Sequence, residues 1–344
     1  IKLFIMQEPL KASEKLSVIS FLKMIKRECR TNMSKISVQM DPIQLVDIKA
    51  DTTFALALEA HKRGHELFYY NPKSLSYYNG KVTAKGQNIL KIRDTINDHV
   101  LLSEEIIKDL SEEDVILLRQ DPPFDMTYIT NTHILETLHP KTFVVNNPFE
   151  VRNAPEKLFV NKFKEFIPDT LITRDLAEIN KFRKEFKEII VKPLYGNGGK
   201  QIFHIREDDP NLSSLLEMFF DISNEPLIIQ RYLPEVRKGD CRVIMINGEV
   251  VGAVNRVPPK GEARSNLHVG GIAEKKILSK KEMEICEALS SELKNRELIL
   301  VGLDIIGEHL TEINVTSPTG IQEISKFNST NLSSKFWEAV ENYI

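Results

Sequence analysis

Residues 301–318, with the sequence VGLDIIGEHLTEINVTSP, constrain this chain more than any other stretch. They read as two apolar strands joined by a short turn around Gly307, Glu308 and His309. Side chains alternate faces along a strand, so Glu312 and Asn314 share one face. With the turn centred on Glu308, Asp304 stands directly across from Glu312 in an antiparallel pair. The same geometry turns Leu303, Ile305, Ile313 and Val315 to the opposite face, toward a core. Facing carboxylates repel and lose hydration unless a cation joins them. Asp304, Glu312 and Asn314 offer only hard oxygen donors, a set that suits Mg²⁺ bridging nucleotide phosphates, with Mn²⁺ as a substitute. The alternative is a solvated polar sheet face that holds no metal.

The chain has 344 residues, 42% of them hydrophobic, which suffices for large cores and predicts two or three domains. Net charge is -3 with both signs intermixed, so nothing calls for nucleic acid or an anionic membrane as partner. Cys29, Cys241 and Cys286 are scattered and form no C-x-x-C pair. That argues against a disulfide framework or a zinc site and for a reducing compartment, the cytoplasm. No apolar run approaches the ~18 residues of a membrane span. Residues 1–32 read as an extension outside the working fold, from a start placed too far upstream. Within them, residues 13–30 match a basic amphipathic helix with Leu16, Ile19, Phe21, Leu22 and Ile25 apolar, and the rival reading is a targeting or membrane-surface helix.

From Ile36 the pattern alternates strand and helix. Ile36, Val38 and Met40 alternate as a strand, residues 54–63 read as a helix closed by Gly64, and residues 65–70 read as a strand ended by Asn71 and Pro72. Asn79-Gly80 signals a hairpin. Strand 115–118, helix 127–138 and strand 142–145 follow. This order predicts a mostly parallel sheet with ligands at the carboxyl ends of its strands, where Arg119, Asp121, Asp125 and Asn146 lie. Each of these four, taken alone, reads equally as a loop cap.

A second unit begins near Arg152, with helices predicted over 156–163 and 175–186. Lys192 then sits on a strand that runs into a loop carrying Gly196, Gly198 and Gly199, followed by another strand. Glycines let backbone N–H groups approach phosphate oxygens, and the lysine adds a point charge. Neither a Walker A loop nor a dinucleotide-binding G-x-G-x-x-G opening a helix is present. A bare glycine-rich turn is the alternative. Residues 227–233 form an apolar strand ending at Pro234, placed to present backbone groups to a purine. A hairpin through Asn247-Gly248 carries Arg242 and Arg256 on its two arms. The loop 258–271 holds Arg264 and His268; it suits a lid over an anionic substrate, while His268 itself reads better as solvent-exposed. Helices are predicted over 279–294 and 331–343.

Together these parts fit one chemistry. Lysine and glycine loop hold the β and γ phosphates of ATP, the carboxylates hold Mg²⁺, and arginines neutralise an acceptor carboxylate that attacks the γ-phosphorus. The acyl phosphate so formed is open to attack by an amine.

The motifs RQDPPFD (119–125), RNAPEKL (152–158), VKPLYGNGG (191–199), VGLDIIG (301–307) and LTEINVTSP (310–318) occur in this order. With them the chain resembles the bacterial-type glutathione synthetases of the ATP-grasp superfamily, from about Lys35 to Ile324. The resemblance implies a mixed α/β (α+β) fold. A mostly parallel N-terminal α/β domain (33–151) precedes two ATP-grasp subdomains with antiparallel sheets, a central lid (152–233) and a C-terminal domain (234–330), before a final helix (331–344). It implies ligation of γ-glutamylcysteine and glycine to glutathione with ATP as co-substrate, in a cytoplasmic homo-oligomer that uses no nucleic acid or membrane. Carried over by motif, Lys157 and Lys192 contact ATP phosphates; Gly196, Gly198 and Gly199 cover them; Gln230, Arg231, Tyr232 and Leu233 hold the adenine; Asp304, Glu312 and Asn314 bind the metal; Arg242 and Arg264 stabilise the acyl phosphate and the dipeptide carboxylates. The chain departs from the family pattern at Tyr195 (aspartate in many relatives), Arg231, Cys241 (lysine), Ser265 (glycine) and Gln322 (arginine). The rival functions are a different ATP-grasp carboxylate–amine ligase and a non-catalytic ATP-binding module.

Overall fold

The computed structural model describes residues 33–259 and 271–344. The amphipathic stretch 13–30, Cys29, Arg264, Ser265 and His268 lie outside the described residues. Three sheets organise the rest.

The first sheet has six strands in the order β4-β3-β2-β1-β5-β6. They are β1 (Lys35–Gln39), β2 (Glu66–Tyr78), β3 (Lys81–Ile92), β4 (Val100–Asp109), β5 (Val115–Leu118) and β6 (Phe143–Val145). Four of them, β2-β1-β5-β6, are parallel neighbours, as the alternating pattern predicts. β3 and β4 extend the sheet in antiparallel fashion; the hairpin signal marked the first of these pairings, and β4 is an addition to the pattern. The Asn79-Gly80 turn is present, both residues at positive φ (49° and 81°). Asn71 and Pro72 do not end β2. They fall in a register shift between Tyr70 and Leu75, where Pro72 interrupts no ladder bond. The helix α1 (Thr52–Lys62) links β1 to β2, capped by Asp51, whose carboxylate accepts the Phe54 N–H at 2.6 Å. The helix α2 (Met126–Glu136) links β5 to β6, and a short helix α3 (Pro148–Arg152) follows.

The second sheet has four strands, β7 (Thr170–Thr173), β8 (Ile189–Pro193), β9 (Phe203–Ile205) and β10 (Leu227–Arg231), in the order β7-β10-β8-β9. Helices α4 (Leu176–Phe186) and α5 (Leu212–Ile222) pack on it, and its core is separate from the other two. The glycine-rich loop joins β8 to β9.

The third sheet runs β13-β12-β11-β14-β15. Its strands are β11 (Asp240–Ile246), β12 (Glu249–Val257), β13 (Ile272–Lys275), β14 (Leu300–Ile306) and β15 (His309–Asn314). Helix α6 (Lys280–Asn295), closed at its start by a Ser279–Glu282 capping box, covers one face through Ile285, Leu289 and Leu293. Leu303, Ile305, Ile313 and Val315 are buried in the same core, on the face expected. The predicted helix 156–163 is only a 3₁₀ turn over Phe159–Phe163. Its flanks are fixed to β15 instead: Ile313 N–H donates to the Glu156 carbonyl (3.1 Å) and Leu310 N–H to the Phe166 carbonyl (2.8 Å). Two helices close the chain, α7 (Ile321–Asn328) and α8 (Leu332–Val340). Trp337 is buried against α1, and its indole N–H donates to the Leu56 carbonyl at 2.8 Å. Among the described residues no helix is long and apolar enough to cross a membrane.

Candidate active site

A cavity of about 630 Å³ opens where the three sheets meet, within the size range of small-molecule sites. Its floor is a row of charge across three neighbouring strands. Arg242 on β11 pairs in register with Asp304 on β14, and Asp304 with Glu312 on β15. The turn of the β14–β15 hairpin differs in detail from the expectation. It is a two-residue turn, Gly307 (φ 62°) and Glu308, closed by the Ile306–His309 pair. A bulge at Thr311, whose Oγ1 donates to the Asp304 carbonyl at 3.0 Å, takes up the extra residue and returns Glu312 to face Asp304. Asn314 follows on the same face, its Nδ2 3.4 Å from Asp304 Oδ2.

The two carboxylates do not stand bare. Arg242 grips Asp304 with both edges of its guanidinium, Nε to Oδ1 at 2.5 Å and Nη2 to Oδ2 at 2.9 Å. Arg256 on β12 adds Nη2 at 2.9 Å from Oδ1 and also holds Asp240. Burial pushes the Asp304 carboxyl up, but Arg242 and Arg256 outweigh it and hold it well below the usual carboxylate range. Glu312 has Lys157 Nζ at 3.6 Å and Lys192 Nζ at 3.7 Å. Burial again raises its pKa, and the two lysines reverse the shift downward. The cations that reconcile Asp304 with Glu312 are thus side chains, and the repulsion argument does not by itself require a metal.

Acids that sequence reading did not select also line the cavity, among them Glu156 and Asp240. Burial, then the charge of Glu312, lifts Glu156 to about 7, while burial lifts Asp240 to about 6 against the pull of Arg256. Glu156 adjoins Lys157 in the chain, a signal that was available; Asp240 enters only because β11 lies beside β12.

Lys157, in the turn before the Phe159–Phe163 segment, and Lys192, on β8, meet at the cavity. Burial pushes Lys192 down, whereas Lys157, also opposed by burial, is carried upward by Glu312 and Glu156. Lys157 Nζ donates to the Gly196 carbonyl at 2.6 Å, which ties the glycine loop to the site. A Cβ at Gly196 would lie 2.6 Å from Pro193 Cγ, and Gly198 holds φ at 60°, so neither position accepts a side chain freely. At the end of β10, Gln230 donates to Thr170 Oγ1 (2.9 Å) and Arg231 to Asp169 (3.0 Å), while Tyr232 stacks on His204 at 3.9 Å. These side chains fix the segment. Buried Leu233 offers a backbone N–H with no hydrogen-bond partner among the described residues, a donor suited to a purine nitrogen.

Two family descriptions match the chain: prokaryotic glutathione synthetase, N-terminal domain, over residues 34–152, and prokaryotic glutathione synthetase, ATP-grasp domain, over residues 156–329. The chain belongs to the prokaryotic glutathione synthetase family. The glutathione synthetases of Mesorhizobium japonicum and Brucella melitensis are each 58% identical to it over 307 residues, 89% of this chain and 98% of theirs. That of Shewanella oneidensis is 42% identical over 311 residues, 90% of this chain and 98% of its own. Two solved structures share the fold of this glutathione synthetase family member. D-cycloserine synthetase DcsG matches with a TM-score of 0.64 at 15% identity, over 90% of this chain and all of that one (100%). The ATP-grasp ligase PsnB, complexed with a minimal precursor, matches with a TM-score of 0.59 at 15% identity, over 91% and 100%.

In this glutathione synthetase family member the motif residues within the described part line the one cavity: Lys157, Lys192, the three loop glycines, residues 230–233, Arg242, Asp304, Glu312 and Asn314; of the four strand-end candidates Arg119 and Asp121 line it too, whereas Asp125 caps α2 instead. Nor does Asn146 line it; its amide bridges the Leu300 and Val315 carbonyls, each at 2.8 Å, and so braces β14. Among the described residues no group of three or more histidines, cysteines or acids is arranged to hold a metal. The candidate set is two ionised carboxylates and an amide, and its hard-oxygen chemistry fits Mg²⁺ arriving with a nucleotide. Arg256 Nε is buried without a hydrogen-bond partner among the described residues, a donor left over for an anion.

Proposed function

We propose that this chain is a glutathione synthetase, an ATP-dependent carboxylate–amine ligase that joins γ-glutamylcysteine to glycine and releases ADP and phosphate. The observation that carries the site assignment is the convergence in one cavity of Lys157, Lys192 and the glycine loop with the Asp304–Glu312 pair. Lys192 and Lys157 bind the terminal phosphates of ATP, and the loop excludes water from them. The Leu233 N–H and the apolar end of β10 take the adenine. Asp304, Glu312 and Asn314 are the residues to hold Mg²⁺ or Mn²⁺, which when bound neutralises phosphate charge. Arg242 is a positioning residue that fixes Asp304, Arg256 offers its spare N–H to the developing anion, and Arg264 is assigned the dipeptide carboxylates. The cysteinyl carboxylate oxygen attacks the γ-phosphorus in line and ADP leaves. The glycine nitrogen then attacks the acyl carbon, phosphate leaves, and the nitrogen gives up a proton.

We divide the chain by its three sheets and assign residues 152–166 to the C-terminal unit, because their backbone is hydrogen-bonded to β15 at Ile313 and Leu310. We place the enzyme in the cytoplasm, in keeping with the buried free thiols of Cys241 and Cys286. A homo-oligomer is supported by exposed Leu101, Ile106 and Ile107 on the edge strand β4.

The test is ADP release by purified protein with Mg²⁺-ATP, γ-glutamylcysteine and glycine, omitting one component at a time. Release that needs all of them, with glutathione as product, is expected. Release indifferent to glycine would make another amine the true acceptor, and ATP binding with no release under any pairing would reduce the chain to a binding module.

A further inference from the structure

The second sheet joins the rest of the chain at two crossings, residues 167–169 leading into β7 and residues 231–235 leading out of β10. Both are fastened to the turn of the β14–β15 hairpin. The Leu310 N–H, donating to the Phe166 carbonyl, holds the first. Arg231, the last residue of β10, then ties the crossings to each other. Its backbone N–H donates to the Asp169 carbonyl at 2.9 Å and its Nε to Asp169 Oδ2 at 3.0 Å. The other edge of the same guanidinium reaches the hairpin, where Nη2 stands 3.2 Å from His309 Nε2. Glu235 packs beside them; a Cβ on Gly307 would lie 3.0 Å from its Cγ.

A guanidinium has no acceptor, so His309 Nε2 accepts and the ring proton sits on Nδ1. Protonation would remove the acceptor and set two cations side by side. The bond therefore requires a neutral His309. The charged groups facing the ring are Arg231 and Asp169 from the crossings, Glu235 from the 3₁₀ turn after β10, and Glu308 in the hairpin turn itself. Burial and then Arg231 hold the imidazole below its ordinary 6.5, against the pull of the three acids. The contact is thus complete above about 6.5 and lost as pH falls through the lowered folded value. His309 does not line the cavity, whereas Arg231 does. Arg231 departs from the family pattern, and His309 is the partner that accepts from it here.

We propose that Arg231 and His309 are a positioning pair for the nucleotide: their bond pins residues 230–233, the adenine side of the cavity, to the hairpin that carries Glu312 and Asn314. Neither side chain acts on the reacting atoms. The pair keeps the adenine contacts and the metal-side carboxylates at one spacing, and protonation of His309 releases it. The proposal rests on the nucleotide reading of residues 230–233 given above.

The experiment measures the Kd of Mg²⁺-ATP without acceptor substrates, beside the steady-state KM for γ-glutamylcysteine. Losing a half-buried bond of this kind lowers the share of binding-competent protein, so His309→Leu should weaken ATP roughly three- to tenfold at pH 7.5. The KM for γ-glutamylcysteine should stay within about twofold, which a general loosening of the fold would not allow. His309→Gln keeps an acceptor for Arg231 without a titratable proton and should recover most of the loss. In an Arg231→Met background, His309→Leu should weaken ATP by less than about twofold further, because the bond is already gone. Between pH 7.5 and 5.5 the wild-type Kd should rise more than that of His309→Gln; protonation of ATP and of the cavity acids is common to both. The two His309 variants and the pH comparison decide the matter even if Arg231→Met fails to fold. Equal Kd values for the wild type and His309→Leu, additive losses in the double variant, or parallel pH profiles would overturn the pair. Failure of the wild type to bind Mg²⁺-ATP at all would instead overturn the nucleotide reading beneath it.

Discussion

Asp304→Asn tests whether the Arg242–Asp304–Arg256 array is a structural keystone as well as part of the site. Asp304 is buried, takes a two-point grip from Arg242 at 2.5 and 2.9 Å, and a third contact from Arg256 at 2.9 Å. Removing one member of a buried ion pair leaves its partner uncompensated at about 3–5 kcal/mol. Here two guanidiniums lose their shared anion, and Asp240 alone remains against Arg256. For a chain of this size ~2 °C per kcal/mol converts the loss to a melting-temperature drop of roughly 6–10 °C. Glu312→Gln is the internal control. Its lysine partners stand at 3.6 and 3.7 Å, beyond hydrogen-bond range, and Lys157 keeps Glu156 beside it, so loss of the Glu312 charge should cost less stability than Asp304→Asn while cutting turnover at least ~10²-fold. The assay is a thermal and urea melt of both variants without ligands, beside steady-state ADP release. If Asp304→Asn melts within 1–2 °C of the wild type, roughly the 1 kcal/mol level, the array is not holding the third sheet together, and the reasoning from its geometry fails.

Lys192→Ala should raise the ATP KM and lower kcat together, since its ammonium faces both the glycine loop's cavity and Glu312; unchanged ATP kinetics would remove Lys192 from the nucleotide site. Tyr195, where many relatives carry aspartate, stacks on Phe124 at 6.1 Å, and Phe124 packs on Tyr128 at 5.2 Å. Such a pair is worth about 0.5–1.5 kcal/mol, so Tyr195→Ala should raise the ATP KM roughly two- to tenfold and Tyr195→Phe should restore it; equal kinetics for both would dismiss the stack as a loop anchor. Asp240 has its folded pKa raised to about 6, so the stability it contributes is full below its ordinary 3.8 and is lost as pH rises through 6. The wild type should therefore lose more melting temperature than Asp240→Asn between pH 4 and pH 7, and parallel pH profiles would contradict the shift.

Much of the fold was legible because its signals are local. Gly64 closes a helix, Asn79-Gly80 and Asn247-Gly248 turn hairpins, and alternation along β14 and β15 sorts Leu303 and Ile313 inward from Asp304 and Glu312 outward. These depend on neighbours within a few residues; the Asp304–Glu312 pairing was expected from period and turn, and it is delivered by a two-residue turn together with the bulge at Thr311. The hairpin signal marked the start of β3, but β4 was missed, because its mixed polar run carries no clean alternation; its pairing with β3, not its own sequence, makes it a strand.

What only the tertiary structure decided is which distant charges share a low-dielectric pocket. No local pattern brings Arg242 beside Asp304, 62 positions away, Lys157 under the glycine loop, or Arg119 to the Pro318 carbonyl across 199 positions. Sheet order does so, by laying β11 against β14 and opening the β1–β5 crevice toward the hairpin's end. The residue types named the chemistry in advance. Their charge states came from burial and from cations on other strands, and those exist only once the three sheets have packed.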